Sequence, residues 1–474
     1  MSLGFKEQVE RVVGSENIIE EPKELEPYSK DMSFVTPRAP VFAVKVRSAE
    51  EVKAIVQLAN IFRVPITPFS CGQNCQGAHI PTLGGVVLDL SQMKGLEIDE
   101  LSRNAIIEPG VTFKELAEAA KKYGLRPLYP VTLPAEASVL VTNLERCPLY
   151  SWYRYGSELN LLTMEIVLPN GKFIGTGQWA MFNRKYKQSA SPETIAYGIS
   201  RMFLGAQGTF GIATKGAVVL KNIHEANEVV FMTFNKLGDV ISAFKQVAKV
   251  DVGEEVFAMN SIRFAAQFAG SPSEVKELAK NLPPWIVTVV LRGPRDEVAE
   301  VQLPDLKDSA KEIGATLVED IDGMPGSAKL ILNELGLPQG VKKLARVRGA
   351  YNFIPTIAVP GDVPGLDEIV AEVASKINNA EVARFLMPAD WAARAVYYEV
   401  GYFRDPQNTD ETDMIKNIFY ETSEKLFMSG AFFDRPYGPW AQMVYNRANT
   451  YYRTLARIKK IIDPNGIMNP GKLV

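Results

Sequence analysis

Histidine is almost missing from this sequence. Only His79 and His224 occur among 474 residues, and they lie far apart. A metal centre built from several imidazoles is excluded by that count, as is a catalytic triad unless one of these two serves. Cysteine is nearly as scarce. The three present, Cys71, Cys75 and Cys147, make no disulfide scaffold and point to a reducing compartment. Neither sign of charge is in excess: 52 Lys and Arg face 55 Asp and Glu, a formal net charge of -3. Non-specific nucleic-acid binding and polybasic membrane-surface binding need an excess of cations, so neither is expected. Long apolar runs are lacking too. Residues 285–291 are strand-sized, far short of the ~20 residues that span a bilayer. Residues 1–7 turn polar at once, unlike the apolar core of a signal peptide. The expectation is a soluble, cytoplasmic protein.

What is present suits a globular chain of two or three domains, at roughly 150 residues each. Hydrophobic residues make up 46%, enough for sizeable cores. Residues 41–46 read as a strand. Ser48-Ala49-Glu50-Glu51 follows as a capping box for a helix reaching about Phe62. Residues 64–68, 85–90 and 105–110 read as further strands. Thr112-Phe113-Lys114-Glu115 is a second capping box, whose helix stops at Gly124. Residues 164–174 predict a hairpin around Asn170-Gly171. After about Asn222 the texture changes to strand-like runs (228–234, 285–292) alternating with helical ones (237–250, 298–313), as in a separate α+β domain. Residues 395–403 read as a strand on which Tyr398 and Tyr402 share one side. Residues 441–462 predict one long helix, stopped at Asp463-Pro464-Asn465-Gly466.

Three segments carry chemistry. The first, Pro68-Phe69-Ser70-Cys71-Gly72-Gln73-Asn74-Cys75-Gln76-Gly77-Ala78-His79, links two strands and is rich in small polar residues. Its amides can form an anion-binding nest, although it matches neither a Rossmann nor a P-loop spacing. The second, Gly208-Thr209-Phe210-Gly211-Ile212, is a tight turn before a strand, where backbone can pack against a flat ligand. The third, Ile462 to Lys472, is so rich in turn residues that a docked terminus is expected where termini usually fray.

In this order and spacing the three segments resemble the FAD-linked oxidase superfamily typified by vanillyl-alcohol oxidase and p-cresol methylhydroxylase. Gly84-Gly85-Val86-Val87-Leu88-Asp89-Leu90, Ile107-Glu108-Pro109-Gly110-Val111-Thr112, Ser138-Val139-Leu140, Glu145-Arg146 and Tyr155-Gly156 add to the likeness. The resemblance implies an α+β fold with a PCMH-type, two-subdomain FAD-binding domain over residues 1–222. It implies an α+β cap over 223–425 and a C-terminal segment, 426–474, completing the FAD site. It implies FAD as cofactor, with residues Ser70 to Gly77 around the pyrophosphate and Ser138 and Thr142 facing the flavin. Gly208, Gly211 and Ile212 would contact the adenosine or ring region, and Asn469 and Lys472 would close the site. In such enzymes the substrate gives hydride to the flavin while the protein supplies orientation and charge.

Departures from the family pattern narrow the reading. Gln76 occupies the loop position where phenol-binding members carry Tyr. Arg435 and Tyr437 stand where the family places an active-site Tyr-Arg pair, but shifted. Ser157, with Glu158 next, replaces the acidic residue near flavin N5. Too few histidines remain for the metal site of the D-lactate and glycolate dehydrogenases, or for a histidyl flavin in the cap, so no metal and a non-covalent FAD are expected. The catalytic candidates are Arg435, Tyr437, Glu158 and, on a cap strand, Tyr398. The expected function is an FAD-dependent oxidase or dehydrogenase acting on an alcohol-like or benzylic carbon of a small molecule. It would pass electrons onward, to an iron–sulfur, cytochrome or quinone-linked acceptor if a dehydrogenase, within a possible oligomer or multi-subunit complex. The alternatives are the FAD subunit of a D-2-hydroxy acid dehydrogenase complex and a flavin-binding scaffold subunit with reduced catalysis.

Overall fold

Ser48 opens the first long helix by accepting a hydrogen bond from the Glu51 amide on its hydroxyl, at 3.2 Å. The Glu51 carboxylate reaches back one residue further than a capping box requires, to the Arg47 amide. The helix spans Ala49–Phe62, and its Val52, Ile55, Val56 and Ala59 are buried at helical spacing. They pack on a four-stranded sheet of β1 (Ile18–Ile19), β2 (Ala43–Lys45), β3 (Ile66–Phe69) and β4 (Val86–Asp89). The order is β1-β2-β4-β3, with β2, β3 and β4 parallel. In this computed structural model the described residues are 3–152, 160–181, 198–377 and 381–473.

The next strands are β5 (Leu96–Asp99), β6 (Asn104–Ile107), β7 (Leu125–Arg126), β8 (Leu161–Val167), β9 (Phe173–Gly175), β10 (Ile212–Val219) and β11 (Lys221–Asn222). Five form an antiparallel sheet in the order β5-β6-β10-β8-β9, while β7 and β11 pair separately. The expected hairpin is β8–β9, with Gly171 at a positive φ of 74°. Thr112 and Glu115 make a complete capping box for the helix Phe113–Lys121. Gly124 takes a left-handed φ of 68° three residues after that helix ends.

The remaining strands form one six-stranded antiparallel sheet: β12 (Ala226–Phe234), β13 (Glu255–Asn260), β14 (Trp285–Gly293), β15 (Ala350–Ala358), β16 (Val382–Pro388) and β17 (Val396–Arg404). Their order is β12-β14-β13-β16-β17-β15. Strand alternation divides β17 between two cores. Tyr398, Val400 and Tyr402 face the helices Leu237–Val250, Val363–Ala374 and Thr409–Met428. Tyr397 and Phe403 face the opposite core, shared with Tyr129, Tyr150 and Phe203 from earlier in the chain. A charge cluster ties β7 and β11 to this sheet. Arg126 pairs with Glu254 at 2.9 Å, Lys221 with Glu254 at 3.1 Å, and Arg292 with Glu255 at 2.8 Å.

The predicted helix over 441–462 is two helices, Pro439–Arg447 and Asn449–Ile462. Ala448, at φ −97° and ψ 45°, breaks them. Weak helix formers Asn446 and Asn449 flank the break. The change of direction lets Tyr445 stack on Tyr451 at 6.3 Å. Beyond the second helix the chain docks. Met468 bridges to Ile66 in parallel, the Asn469 amide donates to the Ile66 carbonyl, and the Ile66 amide donates to the Ile467 carbonyl. Thus strand β3 is bordered by residues from the end of the chain. Among the described residues no helix is long and apolar enough to cross a membrane.

Candidate functional site

The three segments singled out in the sequence meet around one cavity with ≈ 1050 Å³ of empty space. Its walls include Ser70, Gly72, Gln73 and Asn74 from the loop after β3, and Ser138 and Thr142 from the helix Val139–Leu144. Gly208, Gly211 and Ile212 come from the turn before β10, and Asn469 from the docked tail. This is the size of cleft that holds a large ligand.

Local hydrogen bonds fix these walls. Ser70 and Ser138 both donate to the Pro109 carbonyl, at 2.8 and 2.5 Å, so the Pro109 turn ties loop to helix. Ser138 also caps its helix by accepting from the Val141 amide, and Thr142 donates back to the Ser138 carbonyl. Cys71 and Gly72 have consecutive positive φ values, 59° and 61°, which curl the loop. The amides of Gly72, Gln73 and Asn74 donate to no protein acceptor among the described residues. An arc of free N–H groups at a left-handed turn is a ready anion cradle. At Gly208 the need for glycine comes from the protein itself, since an added Cβ would overlap Pro68. Asn469 joins three segments: it accepts from Thr67 Oγ1 at 3.1 Å and donates to the Gln207 carbonyl at 2.6 Å.

Several expected ligand contacts lie behind the wall. Cys71, Cys75, Gln76, Gly77 and Lys472 are absent from the cavity lining. The second half of the loop turns toward the N-terminal segment instead, where the Gly77 amide donates to Asp31 at 2.6 Å. Lys472 donates to the Gly77 carbonyl at 2.7 Å, bracing the loop from behind. Burial pushes its ammonium down to about 8. Gln76 lines a second cavity of ≈ 330 Å³, walled by Phe34, Phe353, Phe419, Tyr420, Tyr437 and Trp440. Burial raises the thiols of Cys71 and Cys75 above their ordinary value.

Glu145 and Cys147, on the main cavity wall, belong to a polar cluster with Tyr437 and Arg435, which do not line that cavity. Tyr437 donates to the Glu145 carboxylate, and Arg435 Nη1 reaches Cys147 Sγ at 3.4 Å. Glu145 and Cys147 line the main cavity, whereas Tyr437 lines the second, so the Tyr437–Glu145 hydrogen bond links the two. Burial pushes the Glu145 carboxyl above its usual range, against the opposing pull of Tyr437 and Arg435. Burial pushes the Cys147 thiol up to about 11. Desolvation and the neighbouring Glu145 hold the Tyr437 phenol well above its usual value.

The other candidates separate. Tyr398 is not brought to the cavity. Its phenol donates to Asp367 at 2.6 Å beneath the helix Val363–Ala374, on the helix-covered side of the six-stranded sheet. Tyr402 shares that side and meets Thr422. The side shared by the two tyrosines is the helix-covered one. Glu158 and Ser157 lie outside the described residues. Sequence reasoning missed Glu145 and Cys147 as site residues, while His79, at the end of the first segment, lines the cavity as well. A signal lay nearby: Arg146 adopts a left-handed φ of 55°, a conformation uncommon for residues other than glycine. The sequence alone did not reveal it.

Comparison with known proteins agrees with this arrangement. The model of the FAD binding domain matches residues 40–177, and that of the FAD linked oxidases, C-terminal domain, matches residues 440–473. The chain is 24% identical to the glycolate oxidase subunit GlcD of Bacillus subtilis over 99% of this chain and 96% of the relative. It is 25% identical to the 4-cresol dehydrogenase [hydroxylating] flavoprotein subunit of Pseudomonas putida, over 97% and 93%. Its fold matches substrate-bound p-cresol methylhydroxylase with a TM-score of 0.82 at 20% identity, covering 100% of this chain and 97% of that one. The chain carries the FAD binding domain and the C-terminal domain of the FAD linked oxidases, and its fold is that of the PCMH-type flavoproteins. It is an FAD-dependent oxidoreductase.

Proposed function

We propose that this enzyme oxidises an alcohol-like or benzylic carbon of a small organic substrate, with FAD held in the main cavity without a covalent bond. The observation that carries the reading is the Tyr437–Glu145 hydrogen bond, with Arg435 beside Cys147, where Glu145 and Cys147 line the same cavity as the free amides of Gly72, Gln73 and Asn74. FAD, when bound, supplies the two-electron acceptor for the substrate hydride.

The chain's own groups supply the rest. The amides of Gly72 to Asn74 would hold the diphosphate, and Ser138, Thr142, Gly208, Gly211 and Ile212 would wall the remainder. As an alcohol carbon loses its hydride, its hydroxyl proton passes to the Tyr437 oxygen while the Tyr437 proton moves to Glu145. A carboxylate raised by burial can hold that proton. Arg435 would orient the substrate oxygen by charge. Support for an apolar substrate body comes from the second cavity, which Tyr437 shares with Phe353, Phe419 and Trp440. Non-covalent attachment is supported by the protonated state of the thiols and by Cys71 and Cys75 lying off the cavity wall.

The proposed division is an FAD-binding domain at 1–222, a cap at 223–425 and a closing segment at 426–474. The charge cluster across β7, β11, β13 and β14 would join the first two. A separate electron-accepting protein is proposed, together with a reducing, cytoplasmic setting that suits three free cysteines. A second reading, the FAD subunit of a D-2-hydroxy acid dehydrogenase complex, is favoured by the likeness to a glycolate oxidase subunit and to a D-lactate dehydrogenase of Arabidopsis thaliana. Here Arg435 would take the substrate carboxylate.

The deciding experiment is anaerobic bleaching of the flavin by a panel of 2-hydroxy acids, benzylic alcohols and alkylphenols. Reduction by D-2-hydroxy acids alone would select the second reading, and reduction by none would sink both. Acid precipitation should release all of the flavin into the supernatant. Flavin retained on the pellet rejects the non-covalent assignment.

A further inference from the structure

Lys459 is the one buried residue of the helix Asn449–Ile462, at 8% exposure. A lysine goes inside only when its charge and its donors are met. Three acceptors surround the ammonium: the Thr209 carbonyl at 2.5 Å, the Asp463 carboxylate at 2.6 Å and the Met468 carbonyl at 2.8 Å. Asp463 is buried as well, and it also accepts from the Ile467 and Met468 amides, at 3.1 and 2.9 Å. One ion pair thus grips the last helix, the docked tail and the turn before β10.

The two carbonyls it holds stand beside two unusual residues. Gln207 and Asn469 both line the main cavity, and both have left-handed backbones, with φ of 50° and 38°. Residues other than glycine adopt that conformation uncommonly, and it persists where the surroundings over-determine it. Asn469 donates to the Gln207 carbonyl, so the two meet directly. Lys459 holds the residue before Asn469 and the residue two after Gln207. It works from behind the wall: Lys459, Thr209 and Met468 do not line the cavity.

We infer that Lys459, neutralised by Asp463, is a positioning residue for the cofactor: it fixes the Gln207 turn and Asn469 in the backbone shape that walls the bound FAD. The inference rests on the assignment of FAD to this cavity. Removing the ammonium leaves two carbonyls and a buried carboxylate without their shared donor, a larger loss than that of an exposed pair. The left-handed residues on the wall are then free to relax.

The test is the rate of FAD release from holoenzyme, with the visible circular dichroism of the bound flavin, for the wild type, Lys459→Met and Tyr398→Phe. Met keeps the aliphatic stem and removes the charge. Tyr398→Phe weakens the fold on the helix-covered side of the six-stranded sheet, away from the cavity, and so controls for a merely structural loss. Lys459→Met should release FAD about tenfold faster and change the dichroism of the flavin that remains bound. Tyr398→Phe should match the wild type in both. Release is read only from molecules that hold the cofactor, so it does not depend on how much of a preparation is folded. Wild-type release from Lys459→Met, an unchanged flavin dichroism, or equally fast release from Tyr398→Phe would each overturn the inference. If Lys459→Met yields no holoenzyme, Asp463→Asn, which removes the countercharge and keeps the shape, carries the same expectation and the same refutations. A wild type that binds no FAD would instead sink the cofactor assignment.

Discussion

The phenol of Tyr437 donates to the carboxylate of Glu145, two residues 292 positions apart in the chain. The bond connects the C-terminal segment to the helix end facing the main cavity, and it joins two cavities that share no lining residue. Removing the charge while keeping the shape isolates its role. Glu145→Gln should slow flavin reduction by a reactive substrate about 10²–10³-fold, the range of a lost proton acceptor. FAD should stay bound. Stopped-flow bleaching reads the rate, and an unchanged rate would remove Glu145 from the proton path.

The same carboxyl predicts a pH signature. Its folded pKa lies above its unfolded value of 4.5, because burial penalises the charged form. The folded state therefore binds more protons, and the linked stability is present below the unfolded pKa and lost as pH rises through the folded one. The melting temperature of the wild type should fall relative to Glu145→Gln as pH rises from about 4.5 toward neutrality. A constant difference across that range contradicts the raised pKa.

Arg435 sits 5% exposed against Cys147 and ahead of Tyr437. Arg435→Ala should abolish substrate reduction while the flavin spectrum of the bound cofactor persists. Arg435→Lys should restore little, because a point charge does not reproduce the guanidinium fork. Turnover unchanged in Arg435→Ala would take the residue out of the site.

Tyr398 should behave oppositely. Its hydroxyl belongs to a buried cluster with Asp367 and Arg384. Tyr398→Phe should cost about 1–3 kcal/mol of stability by leaving Asp367 short of a donor. It should leave the rate of flavin reduction unaltered. Chemical denaturation and stopped-flow reduction together check the pair of outcomes, and a selective loss of rate would place Tyr398 in catalysis.

Lys472 braces the cavity loop through the Gly77 carbonyl. Burial depresses its folded pKa to about 8, so the unfolded chain binds more protons between about 8 and 10.5. Stability of the wild type should rise relative to Lys472→Met across that window. Denaturant midpoints at pH 7.5 and 10 measure it, and an unchanged difference would refute the depressed pKa.

Much of the main cavity's wall was legible in the sequence. Ser48, Thr112 and the Asn170-Gly171 turn act through neighbours within a few residues, so their spacing predicts helix starts and a hairpin directly. The small polar loop at 70–77, the 208–212 turn and the Asn469 tail carry their meaning in residue type, and the chain brings all three to one cavity. The sequence also determined, by its lack of histidine and of surplus charge, which chemistries were out of reach. Tertiary structure alone decided which face each side chain took. Tyr398 and Tyr397 are adjacent on β17, and strand alternation sends one under a helix and the other to the inner core. Glu145 met Tyr437 and the 441–462 helix broke at Ala448 because packing between distant segments, which no local spacing encodes, set those positions.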